Sequence, residues 1–254
     1  MEKERIVSNF NERAIVKVCV AALLALAVVA VAWAGGKAEP WKAKPYTEWD
    51  QNDLKLILNK SPWAKLERVE ADWKPEKGGP ESAAVPPAGG MPVNRPYDAG
   101  NASGPAMVYF AVRWNSSRTV REALVRDAIL SGKMKESDAG KYLSAPITDY
   151  EVLVVGPDMT PFQHATPDEL KAKSSLRGQK SKVEVHPTNV NMVRSPAGGR
   201  VTAVVFSFPL KTADSKDVAA TQEKGLRFEC KLKDISLSTT FDPRKMADAK
   251  GPDF

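Results

Sequence analysis

Two histidines, His164 and His186, are the chain's only imidazoles, and 22 positions separate them. A metal centre or a proton-transfer pair needs such groups to converge with Cys, Asp or Glu side chains. His164 and Asp168 have the i, i+4 spacing of two ligands on one helix, but Pro167 breaks a continuous helix through both. The sequence therefore predicts no metal ligands and no cofactor, and it assigns the histidines to surface or capping positions.

Hydroxyls and carboxylates give no stronger signal for catalysis. Ser116 and Ser117 follow a predicted strand and precede a predicted helix, where a nucleophile can be presented, but helix starts also require hydroxyl caps. The chain has no Gly-x-Ser-x-Gly elbow, and Gly198-Gly199-Arg200 lacks the spacing of a phosphate loop. The carboxylate pairs are Asp50/Asp53, Asp149/Glu151 and Asp168/Glu169. Helix starts explain the first and last pairs, so we predict that the protein is not an enzyme.

The two cysteines cannot staple the fold. Cys19 lies in an apolar N-terminal run and Cys230 is alone in the remainder of the chain. Cys230 shares one side of an alternating segment with Leu226 and Phe228, which is the pattern of a half-buried strand. We therefore expect Cys230 to be a small buried hydrophobic residue, not a catalytic thiol.

Tryptophan is concentrated in one part of the sequence. Five of the six tryptophans lie between positions 41 and 114: Trp41, Trp49, Trp63, Trp73 and Trp114. Packing in the core is the simpler interpretation, because a buried aromatic side chain contributes about 1.5–3 kcal/mol. The alternative is an exposed platform that binds a glycan or a peptide. Trp41, beside Lys42 and Lys44 in the tether, is the one of the five that we expect to be exposed.

The elements that carry these residues begin with residues 47–73. Thr47 or Asp50 caps a helix whose apolar residues have helical spacing, and Pro62 ends it. Alternation from Val69 to Trp73 then predicts a strand. Further on, a β-rich run at 106–114 predicts a central strand, and Thr119 with Glu122 has the spacing of a capping box for a helix over about 119–131.

The remaining pattern predicts an α+β fold. A possible short helix at 134–143 precedes a strand at 150–155, and Thr166-Pro167 begins a helix that we extend to Leu176. Five more β runs follow, at 183–186, 190–193, 201–208, 226–232 and 235–241. Segregated helices and strands favour a mostly antiparallel sheet of about five or six strands with three or four short helices.

Two short motifs carry a resemblance. The Ser61-Pro62-Trp63-Ala64 turn and the late Phe206-Ser207-Phe208-Pro209 segment occur in the same order of elements in a group of small, uncharacterised exported proteins of acidobacteria. The chain resembles that group loosely over about residues 45–245. The resemblance implies an exported α+β protein, and it assigns no functional residue.

The N-terminus has the pattern of an export signal. Residues 18–34 form an uncharged apolar run after a basic segment, and Ala32 and Ala34 precede Gly35 as small residues at a signal-peptidase site. An uncleaved apolar helix anchored in the inner membrane is the alternative, because 17 residues are close to the minimum for a span. Both interpretations place the remainder in the periplasm or outside the cell.

The domain organisation follows from these assignments. We predict a signal peptide or anchor at 1–34, a tether at 35–46, a single domain at 47–246 and a flexible tail at 247–254. Residues 74–105, with seven prolines and six glycines, are predicted to be a disordered loop within that domain.

Composition and charge favour a globular protein with a modest positive charge. The chain has 254 residues, 43% of them hydrophobic, and a formal net charge of +6. Basic residues are interspersed with acidic ones, so we predict no nucleic-acid partner. Attraction to an anionic envelope polymer or lipid surface is left as an alternative. The leading hypothesis is a non-catalytic structural or interaction protein of the cell envelope; a tryptophan-based glycan or peptide binder and a hydrolase with an unrecognised site are the second and third.

Overall fold

The computed structural model describes residues 39–70, 107–196 and 199–254. The α-helices within them are α1 (Pro40–Ala43), α2 (Gln51–Asn59), α3 (Arg118–Leu130), α4 (Glu136–Leu143) and α5 (Pro167–Ala172). The strands are β1 (Ala64–Glu70), β2 (Met107–Trp114), β3 (Asp149–Val155), β4 (Ser174–Gly178), β5 (Glu184–Val185), β6 (Asn189–Arg194), β7 (Val201–Pro209), β8 (Leu226–Lys231), β9 (Ser236–Phe241), β10 (Ala247–Asp248) and β11 (Gly251–Pro252). Short 3-10 turns span Tyr46–Glu48 and Thr160–Phe162.

Two antiparallel sheets form the body of the protein. The larger has the order β1-β2-β3-β7-β6 and the smaller the order β5-β4-β8-β9, while β10 and β11 make a separate hairpin. All of these strand pairs are antiparallel. The predicted α+β class with antiparallel pairing is confirmed, and its strands are divided between two main sheets.

Strand alternation builds the core between the sheets. Successive side chains of a strand point to opposite faces, so alternating hydrophobic residues of β7 and β8 share one inner side. The ring centroids of Phe206 on β7 and Phe228 on β8 are 5.2 Å apart, and those of Trp114 on β2 and Phe241 on β9 are 5.4 Å apart. These edge-on contacts join the larger sheet to the smaller one.

Helix α2 packs beside the end of β2. Its start is the predicted capping box, in which the Asp50 carboxylate accepts the backbone N–H of Asp53 at 2.9 Å and the Asp53 carboxylate accepts that of Asp50 at 2.9 Å. At its other end, the carbonyl of Leu58 accepts a 2.6 Å hydrogen bond from Nε of Arg113 on β2. Arg113 is only 2% exposed, so this bond satisfies part of a buried guanidinium.

Two predicted helix boundaries were wrong. Helix α5 ends at Ala172, and the residues that we assigned to its last turn form β4 instead. Helix α3 is capped by Ser117, whose hydroxyl accepts the N–H of Val120, and not by a capping box at Thr119. Its first backbone N–H groups, those of Arg118 and Thr119, donate to the carboxylate of Asp253. The spacing of residues around Thr119 gives no indication of that contact.

The prediction of a flexible tail was also wrong. Residues 247–254 contain the β10–β11 hairpin, and Asp253 is 5% exposed. The indole N–H of Trp63 donates a 2.5 Å hydrogen bond to the carbonyl of Asp253. Buried polar groups of the tail are therefore satisfied by the domain, and this holds the last residues in place.

The expected tether at 35–46 is partly ordered. Helix α1 and the 3-10 turn Tyr46–Glu48 fall at its end, and Trp41 packs edge-on to Trp63 with ring centroids 5.5 Å apart. The predicted leader at 1–34, with Ala32, Ala34 and Gly35 at its cleavage site, and the loop at 74–105 lie outside the described residues. None of the helices in the described ranges combines the length and hydropathy needed to cross a membrane.

Candidate anion-binding cleft

The tryptophans are core residues wherever the structure describes them. Trp41 is 6% exposed, Trp49 is 2% exposed, and Trp63 and Trp114 are completely buried. The expectation that Trp41 is exposed was wrong, because its ring packs against Trp63. Trp73 lies outside the described residues. No platform for a glycan or a peptide is formed by these four rings.

The histidines and serines selected from the sequence either hydrogen-bond to the backbone or lie at a turn. His186 is exposed and its Nδ1 lies 2.8 Å from the backbone carbonyl of Ser174, while His164 is exposed at the turn before α5. Ser116 accepts the backbone N–H of Glu151 at 3.2 Å, and Ser117 caps α3. In the three described ranges, no group of three His, Cys, Asp or Glu side chains is placed to hold a metal ion.

The carboxylate pairs do not converge into an acid–base site. Asp50 and Asp53 are used in the capping box of α2. Asp149 accepts a 2.9 Å hydrogen bond from Thr148 and Glu151 one of 3.2 Å from Asn115. Asp168 lies in the first turn of α5, as its position after Thr166-Pro167 predicted.

A cleft of about 490 Å³ opens on the outer side of the smaller sheet. Four of its six lining residues are basic, one is acidic and one is an amide. The lining consists of Arg177, Gln179, Lys182, Lys224, Arg227 and Glu229. A concave site with several converging cations and one carboxylate has the charge to bind an anion.

Two arginines form the floor of this cleft. Arg177 on β4 and Arg227 on β8 are direct partners in the antiparallel register. Directly opposed residues have Cβ atoms about 5 Å apart, and like charges at such positions destabilise a sheet. Both side chains are exposed, whereas Leu176 and Phe228 on the same strands are buried. The register thus places both arginine side chains on the same exposed surface, with the Arg227 side chain turned toward Ser238 on β9.

The cleft's cations are only partly neutralised. Arg227 lies 3.0 Å from Glu229 and donates a 2.9 Å hydrogen bond from Nε to the Ser238 hydroxyl, and Glu229 is shared with Lys231 at 3.5 Å. Arg177 makes no ion pair within the described part of the chain. Its other register partner is Glu184 on β5, whose exposed side chain does not approach within salt-bridge distance.

A buried carboxylate holds the turn that forms one wall of the cleft. Glu223 is 3% exposed and accepts the backbone N–H groups of Lys180 at 2.8 Å and Ser181 at 3.0 Å. Burial raises the pKa of Glu223, but hydrogen bonds from the Ser181 side chain and from these two N–H groups outweigh it, so the net pKa is lowered. The carboxylate is therefore ionised at neutral pH and fixes the β4–β5 turn that carries Lys182.

Two glycines leave space for this arrangement. A Cβ on Gly178 would lie 3.0 Å from Oε1 of Glu223, and one on Gly225 would lie 2.8 Å from Oε1 of Gln179. Both distances are too short for a side chain without displacement of the neighbour. Lys182 has a φ of 62°, which is uncommon for a residue other than glycine. The inner side of the turn is therefore closely packed.

Sequence reasoning missed the cleft because it missed β4. The segment Ser-Ser-Leu-Arg-Gly contains one large apolar residue and follows a strong helix start, so we extended the helix through its first three residues, to Leu176. The alternation of β8 did place Arg227, Glu229 and Lys231 together on the outer side. Pairing with Arg177, which is 50 positions earlier, depends on tertiary structure and has no local signal.

Comparison of the chain with protein-family models, with curated proteins and with solved structures finds no match.

Proposed function

We propose that the protein is an exported, non-catalytic interaction protein of the cell envelope, and that it holds an anionic partner in the cleft. Support for the location comes from the leader pattern at 1–34. The single structural observation that carries the binding role is the direct pairing of Arg177 with Arg227 in a concave, solvent-open site. Like charges directly opposite each other destabilise a sheet, so an anion bound by both arginines would relieve that repulsion.

The geometry favours binding over a reaction at this site. A reaction would require a nucleophile or an acid–base pair beside the cations. The lining supplies cations, the amide of Gln179 and the carboxylate of Glu229, which lies in ion pairs with Arg227 and Lys231. These groups bind and orient an oxyanion through charge-assisted hydrogen bonds.

Fractionation of the host cells tests the proposed location. The protein should be recovered outside the cytoplasm, either with Gly35 as its new N-terminus or intact from Met1 in the membrane fraction. Recovery of the intact chain in the cytoplasm would contradict the proposal.

Retention on the isolated envelope tests the proposed role. For the processed form, we expect association with the envelope at low salt and release at about 1 M salt, where the Debye length is only about 3 Å. Replacing both arginines by glutamine should cause release at low salt. Retention that is insensitive to both salt and the arginines would contradict an anionic partner in the cleft.

A further inference from the structure

We infer that the cleft binds the phosphate groups of an extended anionic polymer, with Arg177 and Arg227 sharing one phosphate and with Lys182 and Lys224 contacting the next groups along the chain. This inference rests on the proposed function and specifies the chemistry of its partner.

The arginine pair distinguishes phosphate from carboxylate. A planar carboxylate has two oxygens, which a single guanidinium satisfies in a bidentate geometry. A second guanidinium on the neighbouring strand must then share the same two oxygens and approach in the plane of the carboxylate. A phosphate has oxygens in a tetrahedral arrangement, so two neighbouring guanidinium groups can each bind it. Arg177, which has no ion pair among the described residues, is free to take such a group.

The arrangement of the lysines indicates a polymer. Lys182 lies on the β4–β5 turn and Lys224 precedes β8, and both line the cleft beside the arginines. Both are exposed, and neither makes an ion pair in the described ranges. With Glu229 the lining has a net charge of 4 − 1 = +3, which one phosphate of charge about −2 does not neutralise, whereas a chain of phosphates places successive charges along the cleft.

The surroundings disfavour a lipid surface. The described large hydrophobic residues with high exposure are Leu66, Leu130, Tyr142, Ile147 and Val193, and none of them lines the cleft. A concave site also fits a chain that enters it better than a flat array of headgroups. We therefore assign the cleft to a phosphate polymer, and a membrane becomes an outcome of the test.

Binding should be measured by titrating the full chain, purified in a mild detergent, with long-chain inorganic polyphosphate. Poly-glutamate of matched length, orthophosphate and vesicles containing phosphatidylglycerol are titrated in parallel. We expect polyphosphate to bind at least about tenfold more tightly than poly-glutamate, since a charge-assisted hydrogen bond is worth about that factor. Orthophosphate should bind much more weakly than the polymer.

The double substitution Arg177→Gln/Arg227→Gln should weaken polyphosphate binding by about a hundredfold, from about tenfold for each arginine. Lys55→Gln/Lys60→Gln is the matched control, because it removes two positive charges from exposed positions on and after α2. The control should change the affinity by less than about twofold. Arg177→Lys/Arg227→Lys keeps the charge and should lose most of the preference for polyphosphate over poly-glutamate.

Folding of the variants is checked by urea unfolding. The arginine double variant should have a midpoint close to that of the unsubstituted chain, because removal of the like-charge pair offsets loss of the exposed Arg227 contacts with Glu229 and Ser238. Loss of binding without loss of stability would then show that the two arginines contact the polymer directly.

Three outcomes would overturn the inference. Equal affinity for polyphosphate and poly-glutamate would show that charge alone is recognised, and would leave the proposed anion-binding role intact. Arginine-dependent binding to vesicles that polyphosphate does not displace would assign the cleft to a membrane. Equal loss of affinity in the control variant would show that binding does not occur at the cleft.

Discussion

The carboxylate of Asp253 accepts the backbone N–H of Thr119 at 2.9 Å at the start of helix α3. A second oxygen of the same carboxylate accepts the N–H of Arg118 at 2.6 Å. The first N–H groups of a helix have no partner within it, and a negative charge there is stabilised by the helix dipole. The penultimate residue of the chain thus completes a helix that begins 135 positions earlier.

Asp253→Ala is expected to lower the free energy of unfolding by about 1–2 kcal/mol, the usual cost of losing a helix cap. Urea unfolding followed by circular dichroism measures the change. Asp217→Ala is the control, because Asp217 is an exposed carboxylate paired with Lys211 and should contribute less than about 0.5 kcal/mol. Equal effects of the two substitutions would contradict a capping role for Asp253.

The indole of Trp63 links the Ser-Pro-Trp-Ala turn to the end of the chain. Trp63→Phe removes the donor to the Asp253 carbonyl and should cost more than Trp114→Phe. Both rings are completely buried, but Nε1 of Trp114 has no hydrogen-bond partner among the described residues. We expect a difference of about 1 kcal/mol in the free energy of unfolding. No difference would mean that the Trp63 hydrogen bond adds nothing to packing.

Alanine at Trp63 tests the packing itself. Removal of a buried aromatic ring should cost about 3–5 kcal/mol, enough to unfold a marginal domain. Thermal unfolding would show this as a large decrease in Tm. A midpoint unchanged from that of the intact chain would contradict the assignment of the tryptophans to the core.

Glu223 should make stability sensitive to acid. Its pKa in the folded protein is lowered from the ordinary value of 4.5, so the unfolded chain takes up the proton first as the pH falls. The contribution of Glu223 is therefore complete above about pH 4.5 and is lost as the pH falls through the folded-state pKa. Urea midpoints between about pH 3 and 7 should decrease less steeply for Glu223→Gln than for the intact chain.

The control for this experiment is Glu136→Gln on the exposed start of α4, which should keep the slope of the intact chain. Glu223→Gln should also weaken polyphosphate binding, because the turn carrying Lys182 loses its anchor. An unchanged slope in Glu223→Gln would show that the carboxylate does not stabilise the turn.

Cys230 should be unreactive in the folded protein. Burial raises the pKa of its thiol to about 11, so almost no thiolate exists at neutral pH. In a Cys19→Ser background, a thiol reagent at about pH 8 should react only after addition of denaturant. Rapid reaction under native conditions would contradict the buried position.

Ionisation of the same thiol should lower the free energy of unfolding at high pH. The unfolded thiol ionises near its ordinary pKa of 9 and the folded thiol near 11, so the unfolded chain releases its proton first. The free energy of unfolding should decrease across that interval, and Cys230→Ala should remove this component. Urea midpoints measured at several alkaline pH values provide the test.

Local sequence patterns predicted much of the fold because the responsible forces are local. The capping box of Asp50 and Asp53, the strand at 107–114 and the alternation of β8 each follow from short-range geometry and from one buried face. Failures occurred where a distant residue decides the structure. The carboxylate of Asp253 accepts the N–H of Thr119, where we had expected a capping box. Ser174–Gly178 forms a strand because it pairs with β8.

The candidate site could not be predicted for the same reason. Arg177 and Arg227 are each unremarkable in sequence, and only the register of β4 with β8 places them opposite each other. For the tryptophans, in contrast, the sequence predicted core packing. Which of them are buried depends on which elements pack against each other. The types of residue in the sequence therefore indicated which side chains form the core. The position of the cleft depends on the pairing of the strands, which the sequence did not indicate.

The hydrogen bond between Trp63 and Asp253 spans 190 positions. Because the indole of Trp63 needs the carbonyl of Asp253 as its acceptor, folding of the domain is expected to be delayed until Asp253 has emerged from the ribosome. Such a delay would be compatible with the proposed export, because a translocation pore requires an unfolded polypeptide. Limited proteolysis of ribosome-bound chains would reveal it as protease sensitivity that persists until Asp253 has emerged.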